Sequence, residues 1–246
     1  MIYRILTVTG MLIFSFAFAS TDNLENTINS NLEVPTSMVS LPAEADNSAA
    51  SAETIYNEFS KNSATLPTMN VFEKAMRGYE KLEEKGVVKN NLLTVVDFGL
   101  SSTKKRMWIM DMDTKMVIFH TYVSHGKNTG GEFATNFSNT VNSLQSSLGF
   151  YVTGETYYGK NGLSLFIDGM EKGFNTKARE RYVVIHGADY AEPSFIDRLG
   201  RLGRSYGCPA VPNTVAKDLI GAIKGESVVY IHKDDKNYLE KSTLLN

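Results

Sequence analysis

The chain has 246 residues, of which 42% are apolar and 21% are charged, as in an ordinary globular protein. Its net charge of -2 at pH 7 gives no support for nucleic-acid binding, because that function usually brings a basic excess. The only cysteine, Cys208, cannot close an internal disulfide. Its thiol therefore pairs with another molecule, forms a reactive site, or is a small buried apolar group.

The first 19 residues have the features of a signal peptide. Arg4 supplies a positive charge, residues 5–18 form an apolar stretch, and residues 17–19 fit the small-x-small cleavage rule. The stretch is shorter than the roughly 20 residues that span a bilayer, which disfavours an uncleaved membrane anchor. We therefore expect an exported protein of the periplasm or cell wall, with no stable membrane span after cleavage.

The segment 20–67 has a different composition from the rest of the chain. It is rich in Ser, Asn, Thr, Ala and Glu, and such a segment buries too little surface to offset the entropy lost on ordering. We predict a flexible low-complexity tether, with a short helix near 52–59. The folded domain is expected to occupy residues 68–246.

The periodicity of the domain changes along the chain from helical to extended. Apolar residues at helical spacing predict a helix over 71–85, capped by Asn70 and ended by Gly86. Strands are predicted at 92–100, 106–112, 115–124, 149–157, 163–168, 181–185 and 228–232. A helical turn at 193–199 and a helix at 213–224 complete the pattern. Many strands and few helices predict a mainly β fold, a β-sandwich or partly closed barrel with peripheral helices.

A histidine and the cysteine carry the chemistry. His186 ends an apolar strand, and Cys208 lies between Gly207 and a proline. A thiol with its free pKa of about 8.5 is mostly protonated at neutral pH, and a nearby imidazole can remove that proton. We predict that Cys208 is a nucleophile and His186 its base. The backbone N–H groups of Tyr206, Gly207 and Cys208 are candidates for an oxyanion hole.

The residues around this pair resemble a known family. Residues 185–187 and 205–208 look like the catalytic motif of the YkuD-type L,D-transpeptidases. Residues 200–212, which read Gly-Arg-Leu-Gly-Arg-Ser-Tyr-Gly-Cys-Pro-Ala-Val-Pro, are similar to the murein L,D-transpeptidase branch. The stretches 120–127, 133–139 and 149–156 also resemble that branch. The resemblance covers about residues 70–235.

This resemblance implies a YkuD-like β-rich fold and an acyl transfer on peptidoglycan. The thiolate would attack a tetrapeptide stem between its third residue, a diamino acid, and the terminal D-Ala, which leaves. A side-chain amine of another stem then resolves the acyl-enzyme, or water does so in an L,D-carboxypeptidase. Cys208 matches the nucleophile, His186 the base, and the Gly187 carbonyl the group that orients the imidazole. No metal or organic cofactor is implied.

The chain departs from the better-known members of the family at two positions. Tyr206 replaces a histidine of their motif, and Ala210 stands where they carry Arg or Asn. The first departure does not affect the base. The second leaves open how the substrate is held.

Other candidate residues have alternative structural explanations. Ser205 is either a turn residue or a hydrogen-bond partner of the catalytic histidine. Arg201 and Arg204 either bind stem carboxylates bidentately or form a solvated face. Tyr190 is a candidate for the substrate pocket. The remaining histidines are expected to be structural: His120, His125 and His232.

Other classes fit the sequence less well. An NlpC-type peptidase has its histidine well downstream of the cysteine, whereas only His232 follows Cys208. A sortase needs an arginine after the cysteine, and none follows. A zinc peptidase needs a set of paired ligands, which the four histidines do not form. A wall-binding module without activity remains the non-enzyme alternative. The sequence indicates no oligomeric state.

Overall fold

A computed structural model describes residues 44–246 of the chain. The predicted signal peptide and the first part of the predicted tether lie outside the described residues. Within the described part, no helix is both long enough and apolar enough to cross a membrane.

The described residues form one mixed sheet of eight strands. The strands are β1 (Leu92–Asp97), β2 (Met107–Asp111), β3 (Met116–Thr121), β4 (Gly149–Gly159), β5 (Gly162–Gly169), β6 (Val184–Gly187), β7 (Ala210–Val211) and β8 (Val228–His232). Their order in the sheet is β3-β2-β1-β8-β4-β5-β6-β7. Only the pairs β1–β8 and β6–β7 are parallel. A bridge between Ser124, just after β3, and Ala210 of β7 joins the two edges, so the sheet is nearly closed into a barrel. The fold class predicted from the sequence is thus confirmed.

Five α-helices surround the sheet in the described part of the chain. They are α1 (Glu44–Asn62), α2 (Met69–Glu84), α3 (Pro193–Leu199), α4 (Asn213–Ile223) and α5 (Lys236–Lys241). Helix α2 packs on β1 and β8, and α4 packs on β5 and β6. A short 3-10 helix, Asp189–Ala191, precedes α3.

The periodicity of α2 is confirmed, but its predicted cap is wrong. Every member of its apolar stripe is buried: Phe72, Ala75, Met76, Tyr79 and Leu82. The helix begins two residues earlier than predicted, at Met69, with Thr68 as the N-cap residue and no side-chain cap. The Asn70 side chain instead accepts a hydrogen bond from Lys74. At the other end Gly86 has a φ of +69°, which favours glycine and ends the helix as predicted.

The structure differs most from the prediction in residues 44–67. Here α1 is longer than the short helix predicted at 52–59, and it packs against α2 and β3. Ala52 and Phe59 are buried, and the Phe59 and Phe72 rings meet edge to face with centroids 5.9 Å apart. The Ser63 hydroxyl also accepts a hydrogen bond from the Val117 N–H of β3 (2.9 Å). This part of the chain is therefore folded onto the domain and is not a flexible tether.

A last helix, α5, has no counterpart in the sequence prediction. Asp235 caps it, because its side chain accepts a hydrogen bond from the Tyr238 N–H (2.8 Å). The Tyr238 side chain is buried and its hydroxyl donates to Glu171 (2.9 Å). The carboxylate of Glu171 also accepts from the Phe150 N–H of β4 (2.8 Å). The buried carboxylate of Glu171 thus links α5 to β4 through hydrogen bonds.

Candidate active site

Cys208 lies at the end of a tight turn, 205–208, just before β7. The Ser205 hydroxyl closes this turn by accepting a hydrogen bond from the Gly207 N–H (3.0 Å) and donating one to the Cys208 carbonyl oxygen (2.6 Å). Gly207 has a φ of +129°, and a Cβ at this position would lie 2.9 Å from the carbonyl oxygen of Gln145. The backbone of the turn therefore requires the glycine that precedes the cysteine.

Two neighbouring segments hold this turn in place. On one side, the Ser205 N–H donates to the carbonyl oxygen of His125 (2.9 Å), and its carbonyl accepts from the Lys127 N–H (2.8 Å). On the other side, the Ser146 hydroxyl donates to the carbonyl oxygen of Gly207 (3.1 Å). The position of Cys208 is thus fixed by hydrogen bonds to residues outside its own strand.

His186 lies on β6, buried between β5 and β7. Its neighbour Gly187 faces α4, because a Cβ there would lie 2.8 Å from the Cβ of Ala216. Side chains alternate along a strand, so His186 faces away from α4. Its Nδ1 lies 2.8 Å from the carbonyl oxygen of Gly187. A carbonyl can only accept, so Nδ1 carries the proton and Nε2 keeps its lone pair.

The thiol and the imidazole are on adjacent segments of the sheet. His186 is paired with Ala210 of β7, two residues after Cys208. In this structure Sγ of Cys208 donates to the carbonyl oxygen of Tyr182 (3.4 Å). The hydrogen bonds of the described residues include none between the thiol and the His186 ring.

Burial shifts both titratable groups toward their neutral forms. It raises the pKa of the Cys208 thiol, an effect opposed by the Val184 N–H and by the charge of Arg181. Burial also lowers the pKa of His186, an effect opposed by its hydrogen bond to Gly187. The resting site therefore holds a protonated thiol and a neutral imidazole at neutral pH. Across residues 44–246, no group of three His, Cys, Asp or Glu side chains is placed to hold a metal ion.

A family model for the L,D-transpeptidase catalytic domain matches residues 63–232, which is more than half of the chain. The chain belongs to the L,D-transpeptidase catalytic domain family. The resemblance read from residues 185–187 and 205–208 is thereby confirmed at the level of the family. No curated protein sequence is similar to the chain at a significant level.

Solved structures of L,D-transpeptidases are similar to this chain at low identity. One from Mycobacterium smegmatis is 11% identical, with a TM-score of 0.37 over 58% of this chain and 59% of that one. One from Mycobacterium tuberculosis H37Rv is 12% identical, with a TM-score of 0.35 over 58% of each chain. One from Stackebrandtia nassauensis is 14% identical, with a TM-score of 0.33 over 77% of this chain and 79% of that one. The chain spans about three fifths of the length of the mycobacterial structures.

In this L,D-transpeptidase domain, Tyr190 lies near His186, and its role in a substrate pocket stays a prediction. Its ring meets that of His186 edge to face, with centroids 6.4 Å apart. Burial, followed by the nearby thiol of Cys208, raises the pKa of its phenol. The Tyr190 backbone carbonyl also accepts from the Gly203 N–H (2.7 Å), which ties this residue to the start of the loop that carries Cys208.

The two predicted substrate-binding arginines both donate hydrogen bonds to backbone carbonyl oxygens. Arg204 is exposed and donates to the carbonyl oxygens of Lys127 (3.3 Å) and Gly130 (3.0 Å). Arg201 donates to the carbonyl oxygen of the next residue, Leu202 (2.7 Å). Tyr206 is 72% exposed, and the ammonium of Lys127 lies 4.9 Å from the centre of its ring. Both arginines keep further N–H groups, so their role in binding stays a prediction.

Sequence reasoning missed two residues beside the thiol. Tyr182, whose carbonyl accepts the thiol proton, is 69% exposed and has a φ of +51°. Arg181 donates to several acceptors in the segment 138–147 and lies against Gly207. In the sequence both were assigned to the start of an apolar strand. Their proximity to Cys208 depends on the positive φ of Tyr182, which no apolar pattern reveals.

Proposed function

We propose that the protein is a peptidoglycan L,D-transpeptidase that acts on tetrapeptide stems through an acyl-enzyme on Cys208. The observation that carries this proposal is the pairing of β6 with β7. It places a histidine, oriented by the Gly187 carbonyl, beside the turn that presents the only cysteine. Membership of the family supplies the class of reaction.

In the first half of the reaction, the Cys208 side chain rotates away from the Tyr182 carbonyl toward Nε2 of His186. The imidazole takes the thiol proton, and Sγ forms a bond to the carbonyl carbon of the third stem residue. The C–N bond to D-Ala then breaks, and the imidazolium returns the proton to the departing amine. Because Nδ1 is held by a carbonyl, proton transfer at Nε2 needs no change of tautomer.

The developing oxyanion needs backbone donors close to the thiol. The N–H of Gly207 is bonded to Ser205, so we assign the oxyanion to the N–H groups of Cys208 and Tyr206. Ser205 then has a different role from proton transfer, because both of its hydrogen bonds lie within the turn. It preserves the shape on which the two donors depend.

In the second half, an amine of another stem attacks the thioester carbonyl, the C–S bond breaks, and His186 carries the proton of the amine to the departing Cys208 thiolate. The exposed side chains around the turn, Arg204, Tyr206 and Tyr182, are the surface that this second chain would meet. Water in place of the amine would yield a tripeptide and make the protein an L,D-carboxypeptidase. Export by a cleaved signal peptide, which this function requires, is part of the proposal.

The test is to incubate the full chain with a purified disaccharide-tetrapeptide and to analyse products by mass spectrometry. A cross-linked dimer that has lost one D-Ala is the expected result, and Cys208→Ala should produce none. Tripeptide alone would replace transpeptidation by carboxypeptidase activity. Unchanged substrate together with a thiol that resists alkylation would refute the proposal and favour a wall-binding module.

A further inference from the structure

The guanidinium of Arg181 lies against the turn that presents the thiol. A Cβ placed on Gly207 would be 3.4 Å from Nη2 of Arg181. Arg181 also directly precedes Tyr182, whose carbonyl oxygen is 3.4 Å from Sγ of Cys208. The chain thus approaches the cysteine turn twice, with the Tyr182 carbonyl at the thiol and with the Arg181 guanidinium at Gly207.

All hydrogen-bond partners of this guanidinium in the described residues are neutral. Nη1 donates to the carbonyl oxygen of Ser138 (2.7 Å) and to the hydroxyl of Ser147 (3.2 Å). Nη2 donates to the hydroxyl of Ser143 (3.3 Å) and to the carbonyl oxygen of Gln145. The ion pairs of residues 44–246 include none at Arg181. Its charge is therefore held in place, half-buried, without a carboxylate to balance it.

A second arginine two residues earlier shows the contrast. Arg179 donates to both Asp168 and Glu155, with N–O distances as short as 2.6 Å to each. Its charge is more than balanced by these two acids. Arg181 has the same net charge and nearly the same place in the chain, but it has no such partner. The proposed reaction creates an anion, the Cys208 thiolate, at the turn that Arg181 contacts.

We propose that Arg181 is a positioning residue for the thiol chemistry, because its unbalanced charge stabilises the Cys208 thiolate and its four hydrogen bonds hold the segment 138–147 against the turn. The inference deepens the proposed function and rests on it for its role in turnover. Burial disfavours both charged members of the thiolate–imidazolium pair, because it raises the pKa of Cys208 and lowers the pKa of His186. A fixed cation beside the sulfur offsets part of that effect.

The proposed role also explains why the guanidinium of Arg181 has no carboxylate partner. A carboxylate beside Arg181 would cancel its field at the sulfur, whereas carbonyl and hydroxyl oxygens fix the group and leave its charge in place. Arginine suits this position better than lysine, because its planar fork reaches four acceptors at once.

The experiment measures the pH dependence of alkylation of the full chain by iodoacetamide. The chain has one cysteine, so every modified molecule reports on Cys208. Arg181→Gln should raise the thiol pKa by about one unit and so lower the alkylation rate at pH 7 about tenfold, since only the thiolate reacts. Arg181→Lys, which keeps the charge, should recover most of that loss. Arg179→Gln changes the net charge equally and should leave the profile within about 0.3 units of the wild type.

Two further variants distinguish the effect of the Arg181 charge from the effect of its hydrogen bonds to the segment 138–147. Ser143→Ala and Ser147→Ala each remove one hydrogen bond of the guanidinium and leave the cation in place, so the thiol pKa should stay within about 0.3 units. A full-unit shift in either serine variant, or equal shifts in Arg181→Lys and Arg181→Gln, would assign the effect to loop structure and overturn the inference. An unchanged profile in Arg181→Gln would also overturn it.

Turnover provides an independent readout. The rate of stem cleavage by Arg181→Gln should fall about tenfold at pH 7 and recover as the pH is raised above the new thiol pKa, which lost packing alone would not produce. Failure of the proposed function is distinguishable, because alkylation needs no substrate. A chain that forms no product but shows the shift would refute the transpeptidase proposal and leave the thiolate role of Arg181 standing.

Discussion

The docking of α1 onto the domain leads to a quantitative prediction at Phe59. This side chain is fully buried, and its ring meets the ring of Phe72 on α2. Replacing a buried phenylalanine by alanine removes its apolar contacts and leaves a cavity, which typically costs about 3–5 kcal/mol. Phe59→Ala should therefore lower the free energy of unfolding of the whole domain by about that amount. Were residues 44–67 a flexible tether, the cost would be close to zero.

Urea unfolding of the full chain measures this cost. The only tryptophan, Trp108, is buried on β2 and reports on the sheet by its fluorescence, away from the mutation. With a slope of about 2–3 kcal/mol per molar urea, the expected loss moves the midpoint down by about 1–2.5 M. The matched control is Glu58→Ala on the same helix, which is exposed and should change the free energy of unfolding by less than about 0.5 kcal/mol.

Equal midpoints for Phe59→Ala and the wild type would refute the reasoning. That result would mean that α1 leaves the sheet before the domain unfolds, so that its contacts with Phe72 do not contribute to the cooperative transition. A lowered midpoint for Glu58→Ala of similar size would instead point to loss of the helix itself.

Three other perturbations have defined outcomes. Cys208→Ser should abolish product formation while the urea midpoint stays within the range of a surface mutation; retained turnover would remove Cys208 from the mechanism. His186→Ala should raise the thiol pKa measured by alkylation, since the imidazole no longer accepts the proton, and an unchanged curve would count against the pairing. Burial, followed by the charge of Arg106, lowers the pKa of His125 to about 4 from its usual 6.5. Between these values only the unfolded chain binds a proton there, so the free energy of unfolding should fall as the pH drops from 6.5 to 4. In urea titrations His125→Gln should show a smaller fall.

The elements that were predicted correctly are identified by sequence patterns that span only a few residues. The apolar stripes of α2 and α4 repeat at the helical period, and the strands β1, β2 and β8 are short, almost continuously buried runs. The motif around Cys208 is equally local, because Gly207 and Ser205 shape a turn of four residues. Patterns of this kind can be read without knowing what lies next to them in space.

The elements that were missed depend on contacts between distant residues. Helix α1 has a polar composition, and Phe59 is anchored only because α2 presents Phe72. Helix α5 spans six residues, too few for a period, and is held through Tyr238 by an acid 67 residues away. The bonds of Arg181 reach back 34 to 43 residues to the polar segment 138–147. The sequence of each segment alone does not identify these distant partners.

The position of the candidate site follows from the way the barrel closes. Strand β7 has only two residues, and its free edge meets the other end of the sheet through the single bridge to Ser124. A continuous ladder would pair the backbone N–H groups of the turn with another strand, and none would be left for an oxyanion. The seam continues as far as Ser205, whose backbone bonds to His125 and Lys127, and the Ser146 side chain then supports the turn. Past Ser205 the ladder stops, and among the described residues the N–H groups of Tyr206 and Cys208 donate to no other residue, which leaves them available to a substrate.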